Sequence, residues 1–469
     1  MPDSDNQSGS TAPHFGEGDS NLSAHRHTWQ ERQNTDASSN DLLARDSRHF
    51  IHQSLSTPCL SAVSKVDGIW IEDTAGNRYM DFHGNNVHHI GYAHPRLAEA
   101  VKNQIDELPF APRRFTNEPA VALAEKLAAL APGDLSKVLF ATGGSDAVDM
   151  AIKLARNVTG RHKTVSFWDS FHGAGFGGMS VGGESLFRND IGPLLAGAEH
   201  VAPFACYRCP YGHDAPDGVP NLDACKMTCA DMVRYVLEKE RDVAAVIAEP
   251  VRAVPYIPPP GFWPAVRQAC DDMGALLIFD EIPSGLGKSG RMFVSEHFDT
   301  VPDIMVLGKA LGGGMLPIAA MITRPDLDDM ADLALGHYTH EKNPITTRAA
   351  LTTLQIIEDE GLVENAAKVG THGLARLHEM RGNHPLIGHV TGIGLIMGIE
   401  LVADRQTKEP AIEIADRIMY RCLEKGLSFK TTMGNVLTLT PPLILTIAQM
   451  DTALDIIEDA INAEETAMV

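Results

Sequence analysis

From about residue 138 onward, short apolar runs alternate with segments whose apolar residues recur at helical spacing. That pattern reads as parallel strands joined by crossover helices, in a sheet buried on both faces. The run Val138-Leu139-Phe140-Ala141 leads into Gly143-Gly144-Ser145, after which Ala147, Val148, Ala151, Ile152 and Ala155 mark one helical face. A glycine-serine turn therefore opens a helix. The run 243–248 ends at Glu249-Pro250, a helical stretch follows near 263–273, and the next apolar run delivers Asp280. These acids fall at the carboxyl ends of strands, where open α/β sheets bind ligands. No internal repeat is visible.

Two residues at such strand ends carry chemistry. Lys309 stands alone between the run Ile304-Met305-Val306-Leu307 and the cluster Gly312-Gly313-Gly314. Apolar neighbours disfavour an ammonium, so a lysine here becomes a nucleophile toward an aldehyde; the plain alternative is a surface lysine after a buried strand. Asp280 ends 274–280, and a buried carboxylate there can hold a pyridinium nitrogen. Aspartate plus lysine is the electronic requirement of pyridoxal 5'-phosphate (PLP). Gly144 and Ser145 at a helix start offer N–H donors, a hydroxyl and the positive dipole end to a phosphate, although such turns also cap many helices. Phe171 or His172, after the apolar run 164–168, can stack on a flat ring, with core packing as the alternative.

Length and composition bound the setting. With 469 residues and 44% hydrophobic residues the chain can build two or three domains and a large core. A net charge of −22 argues against nonspecific nucleic-acid binding and against an anionic membrane surface. No run of about 20 apolar residues and no signal-peptide pattern is present, so a cytoplasmic enzyme acting on small molecules is expected. The polar opening reads as a flexible arm over 1–48, followed by the N-terminal part of a small domain (49–100), a large cofactor-binding domain (101–330), and a helical linker with the C-terminal small domain (331–469). Cys206-x2-Cys209 and Cys225-x3-Cys229 have zinc-site spacing around an irregular loop; reduced, packed thiols are the alternative. No metal is expected in the active site.

On these residues the chain resembles the class III aminotransferases, PLP enzymes of fold type I. The resemblance runs over nearly all of 50–460. It rests on Asp81-Phe-His-Gly84 with Gly91-Tyr-Ala-His-Pro95, Gly143-Gly-Ser-Asp-Ala147, Phe171-His-Gly173, Glu249-Pro250, Asp280-Glu281, Lys309 with its glycines, Thr339 with Asn343-Pro344, and Pro441-Pro-Leu443. It implies an α/β fold: a mostly parallel seven-stranded sheet flanked by helices, plus a smaller α+β domain. By resemblance Gly144 and Ser145 hold the phosphate, Phe171 stacks on the pyridine with His172 and Glu249 nearby, and Ile282 covers the other face. Asp280 pairs with the ring nitrogen and Lys309 forms the Schiff base. Thr339 would reach the partner subunit's phosphate, in a homodimer with shared sites, possible dimers of dimers included.

Departures from the family pattern narrow the reaction. Thr438 stands where relatives that grip an α-carboxylate carry arginine, and threonine offers no charged fork. Pro283 replaces a common glutamine and has no side-chain donor. Arg252, Arg114 with Arg113, and the wall Asn85-Asn86-Val87-His88-His89 are the candidate substrate contacts, above all Arg252, Arg114, Asn86 and His88. The alternatives are an ion pair between Arg252 and Glu249 or another acid, and a solvated pair for Arg113-Arg114. Converging arginines would suit a tetrahedral dianion. Asp280-Glu-Ile-Pro-Ser-Gly285 and Tyr338-Thr-His-Glu-Lys-Asn-Pro344 look similar to the family branch of ammonia-lyases acting on (R)-1-hydroxy-2-aminoethylphosphonate. The competing readings are a transaminase, which needs a keto acid as second substrate, and a catalytically silent PLP-binding protein. In the lyase, Lys309 or a histidine such as His88 would protonate the departing hydroxyl.

Overall fold

The computed structural model describes residues 23–33, 36–54 and 56–468. Its centre is a seven-stranded sheet in the order Lys137–Ala141, Ala319–Thr323, Ile304–Leu307, Leu276–Asp280, Val243–Ala248, Lys163–Phe167, Ala198–Val201. Only Ala319–Thr323 runs antiparallel to its neighbours. The mostly parallel α/β sheet is thus the one the apolar runs implied.

Burial on both faces explains those runs. In Leu276–Asp280 every residue is buried; Ile278 joins the apolar cluster of helix Gly144–Thr159, while Leu277 and Phe279 join that of helix Phe262–Met273 with Trp263. Successive side chains of a strand point to opposite faces, so both faces need apolar residues. Each such side chain contributes about 1.5–3 kcal/mol when fully buried. Among the described residues no helix is long and apolar enough to cross a membrane.

Two smaller sheets lie outside this layer. Strands Val63–Asp67, Trp70–Asp73 and Arg78–Asp81 form a meander that Leu427–Ser428 extends in parallel, so early and late chain segments share a sheet. The other sheet runs Ile387–Ile393, Ile396–Asp404, Val436–Leu439, Lys430–Thr432, with Glu409–Pro410 paired to Ile396–Asp404. Helix Pro344–Asp359 packs on helices Pro95–Glu107 and Glu118–Leu130.

The flexible arm expected over 1–48 needs correcting. Residues Ala24–Gln33 and Ala37–His49 are helical. Trp29 is only 2% exposed, the first helix packs on helix Ile412–Glu424, and Asp36 caps the second through the Ser39 N–H at 2.9 Å. One aromatic anchor and one cap order a segment whose composition is otherwise polar. Residues 1–22 lie outside the described residues.

Candidate active site

The carboxyl ends of the parallel strands open at one edge of the sheet, and Gly144, Ser145, Phe171, His172, Glu249, Asp280, Ile282 and Lys309 line one cavity there, of about 180 Å³. Asp280 is 1% exposed. Its Oδ1 accepts the Ile282 N–H at 3.0 Å, and its Oδ2 faces His172 Nδ1 at 2.8 Å. His172 Nε2 is buried without a partner among the described residues. A proton on Nδ1 donates to the carboxylate, so the imidazole fixes the acid's orientation and offsets part of the cost of burying it. Glu249 works differently: Oε1 accepts the Phe171 N–H and Oε2 the Ala253 N–H, both at 3.2 Å. The acid thus ties two loops of the cavity wall together. The Phe171 ring packs against Phe187 at 4.5 Å between centroids.

Lys309 follows strand Ile304–Leu307 by two residues and takes φ 44. A non-glycine residue in this left-handed region is strained by about 1–3 kcal/mol, a cost that persists where surrounding structure dictates the conformation. Here the strand end and the Gly312–Gly314 turn dictate it. Ser145 sits in the first turn of helix Gly144–Thr159 and accepts the Ala174 N–H through Oγ at 3.0 Å. Two glycines make room for this arrangement. A Cβ on Gly144 would lie 2.8 Å from Ile282 Cδ1, and one on Gly173, at φ +128, would lie 2.9 Å from Ser145 Cα.

The candidate substrate contacts separate. Arg252 is 4% exposed and gives its guanidinium to Glu184 Oε2 at 3.2 Å. Arg113 pairs with Glu341 at 3.2 Å, Arg114 is exposed, and neither arginine nor Arg252 lines the Lys309 cavity. The expected convergence of arginines is therefore replaced by two ion pairs, because acids remote in sequence fold against them. Asn86 is buried at φ 59, with Oδ1 lacking a partner among the described residues. His88 is fully buried beside Tyr92, with Nε2 on the Asp81 carbonyl at 3.0 Å. Burial pushes its pKa down to about 4, which leaves it neutral and a poor proton donor at pH 7. Thr438 is buried, and its Oγ1 bonds Thr432 Oγ1 at 2.6 Å. Thr339 is exposed on the segment before helix Pro344–Asp359 and is not among the cavity's lining residues.

Sequence reading overlooked Glu184, Ala253 and Lys288. Lys288 is fully buried, its Nζ donating to the Thr440 and Pro441 carbonyls at 3.2 and 2.7 Å, and burial lowers its pKa to about 7. Its isolation between Gly287 and Ser289 was the available signal. Among the described residues no three His, Cys, Asp or Glu side chains are placed to hold a metal ion. Cys206, Cys209, Cys225 and Cys229 are free thiols; burial, then neighbouring cysteines, push Cys206 up to about 11 and Cys229 up to about 12.

Comparison with known proteins places this geometry among relatives. The aminotransferase class-III family matches residues 51–461. The (R)-1-hydroxy-2-aminoethylphosphonate ammonia-lyase of Vibrio splendidus is 46% identical over 461 residues, covering 96% of each chain. The leucine/methionine racemase of Thermococcus litoralis is 36% identical over 440 residues, 92% of this chain and 97% of the other. An amine transaminase from an uncultivated Pseudomonas species, solved in its PLP-bound form, superposes with a TM-score of 0.82 at 31% identity, covering 88% of this chain and 98% of that one.

Proposed function

The chain belongs to the class III aminotransferase family, and from that premise we propose that it is a PLP-dependent ammonia-lyase converting (R)-1-hydroxy-2-aminoethylphosphonate to phosphonoacetaldehyde and ammonia. The observation that carries this reading is the 46% identity extending over 96% of both chains. The uncharged Thr438 supports it, since a transaminase needs to grip a carboxylate co-substrate.

The residues present fit PLP. Helix Gly144–Thr159 begins at the cavity with Gly144 and Ser145 in its lining, where its first N–H groups can take a phosphate, and the missing Cβ of Gly144 leaves the room that Ile282 fills. Asp280, buried and braced by His172, would hold a protonated ring nitrogen, and Lys309 would hold the aldehyde carbon. When bound, PLP supplies an electron sink for charge developing on the carbon beside the substrate nitrogen. Once the substrate amine has replaced Lys309 on the aldehyde carbon, the freed Lys309 Nζ would take the proton from the carbon beside the substrate nitrogen. Asp280 would hold the proton of the ring nitrogen in place, so that the positive charge there can receive the developing electrons. Loss of the neighbouring hydroxyl as water, return of Lys309 to the aldehyde carbon and hydrolysis of the released enamine by one water would then give the aldehyde and ammonia. The proton for the departing hydroxyl comes from Lys309, because His88 is neutral and turned onto the Asp81 carbonyl.

The same reading includes a homodimer in which Thr339 of each chain reaches the other's phosphate site, supported by its exposure away from its own cavity. It also places the enzyme in the cytoplasm, in keeping with seven free cysteines. The test is turnover of the hydroxylated phosphonate amine with no keto acid present. Ammonia release supports the lyase; amino transfer that starts only when a keto acid is added overturns it.

A further inference from the structure

A second cavity, of about 450 Å³, is linked to the first through a cleft that shares Gly144 and Lys309 with the first and Val87 with the second. The cleft measures about 290 Å³. Asp81, His83, Tyr92 and Lys430 supply polar lining, and apolar side chains such as Leu427 and Phe429 supply much of the rest. His83 Nε2 is buried there with no hydrogen-bond partner among the described residues. Such a group is unfavourable until a ligand or water satisfies it.

The charge around that atom is positive. Besides burial, the Lys430 ammonium is the largest electrostatic influence on the His83 ring, with Lys309 and Lys288 adding to it. Asp81 is the only acid among the described lining residues, and its oxygens are engaged: Oδ1 accepts the His83 and Gly84 N–H groups at 2.9 and 3.0 Å, and Oδ2 accepts the Tyr92 hydroxyl at 2.7 Å. Lys430 pairs in register with Thr438 across strands Lys430–Thr432 and Val436–Leu439. Residues opposite one another in an antiparallel pair project to the same face, so Lys430 brings a cation to the face where Thr438 offers only a hydroxyl already bonded to Thr432.

We propose that His83 and Lys430 form the subsite that receives the phosphonate of the substrate and sets the preference for a tetrahedral dianion. The proposal rests on the lyase reading for its substrate class. In that substrate two carbons separate nitrogen from phosphorus, so an amine held at Lys309 keeps the anion within two carbons' reach of the lysine, on the side of the cleft that Val87 borders. An ammonium and an imidazole N–H can engage two of the three phosphonate oxygens. Arg252 and Arg113, the charges first expected there, are occupied by Glu184 and Glu341.

The test uses the PLP-loaded enzyme, whose cofactor-phosphate site is filled, and methylphosphonate as probe in calorimetric titration. Wild type binds it; Lys430→Gln weakens binding about tenfold or more, His83→Gln several-fold, and Lys430→Arg retains most of it. In kinetics Lys430→Gln raises KM for the phosphonate amine and leaves KM for 1-amino-2-propanol, which lacks the phosphonate, unaffected. Equal methylphosphonate affinity in wild type, Lys430→Gln and His83→Gln overturns the subsite, as does an equal loss on both amines. Phosphonate binding that depends on Lys430, in an enzyme that never releases ammonia, sustains the subsite and rejects the lyase reading.

Discussion

At the scale of single residues, Lys309 holds a place that no other lysine occupies among the described residues. It alone of the lysines lines the cavity with Asp280, whereas the buried Lys288 is held by two backbone carbonyls. Lys309→Ala should therefore remove the visible absorbance of lysine-bound PLP and nearly all turnover. A retained absorbance would show another lysine at work. Asp280→Asn should keep the cofactor but slow the reaction by at least about a hundredfold, because a neutral partner no longer holds the ring nitrogen charged; a near-normal rate, measured with full cofactor occupancy, contradicts this role. Arg252→Ala should act on stability, costing about 3–5 kcal/mol, since it removes the ion-pair partner that lies 3.2 Å from the buried Glu184 carboxylate. Thermal midpoints and KM on one variant separate this from a substrate role. Lys309 and Asp280 were legible because each ends an apolar run. The Glu184–Arg252 pair was not, because a contact between residues so far apart in sequence leaves no local pattern.

At the scale of elements, the site depends on turns that only glycine can make. Gly173 takes φ +128, and a Cβ there would lie 2.9 Å from Ser145 Cα at the start of helix Gly144–Thr159. Gly173→Ala should lower stability by about 1–3 kcal/mol and weaken PLP binding together, since the strain falls on the residue proposed to hold the phosphate. Cofactor titration alongside denaturant melts would show both effects; an unchanged melt would mean the turn relaxes freely. The strands and the glycine-serine turn could be read because fully buried strands are apolar throughout. Helices Ala24–Gln33 and Ala37–His49 could not, because their order comes from Trp29 docking and the Asp36 cap, both invisible to composition.

At the scale of the whole molecule, buried histidines tie stability to pH. His88 titrates near 4 in the fold against 6.5 for an unburied imidazole, and burial lowers His389 to about 4 as well. Between pH 6.5 and 4 the unfolded chain binds more protons, so the stability present above 6.5 is lost as pH falls, by about 3 kcal/mol from His88 alone. Thermal midpoints should fall over this window, and less steeply in His88→Gln; parallel slopes would exclude His88 as a source. The fold and cofactor chemistry were legible in one chain because both lie in strand ends and turns, whereas the anion subsite requires segments 81–92 and 427–438 to meet. The most direct test of the central claim is phosphorus NMR with ammonia assay on the purified enzyme, given (R)-1-hydroxy-2-aminoethylphosphonate and no keto acid. Equal amounts of phosphonoacetaldehyde and ammonia are the predicted result, and an unchanged phosphonate signal with no ammonia would contradict it.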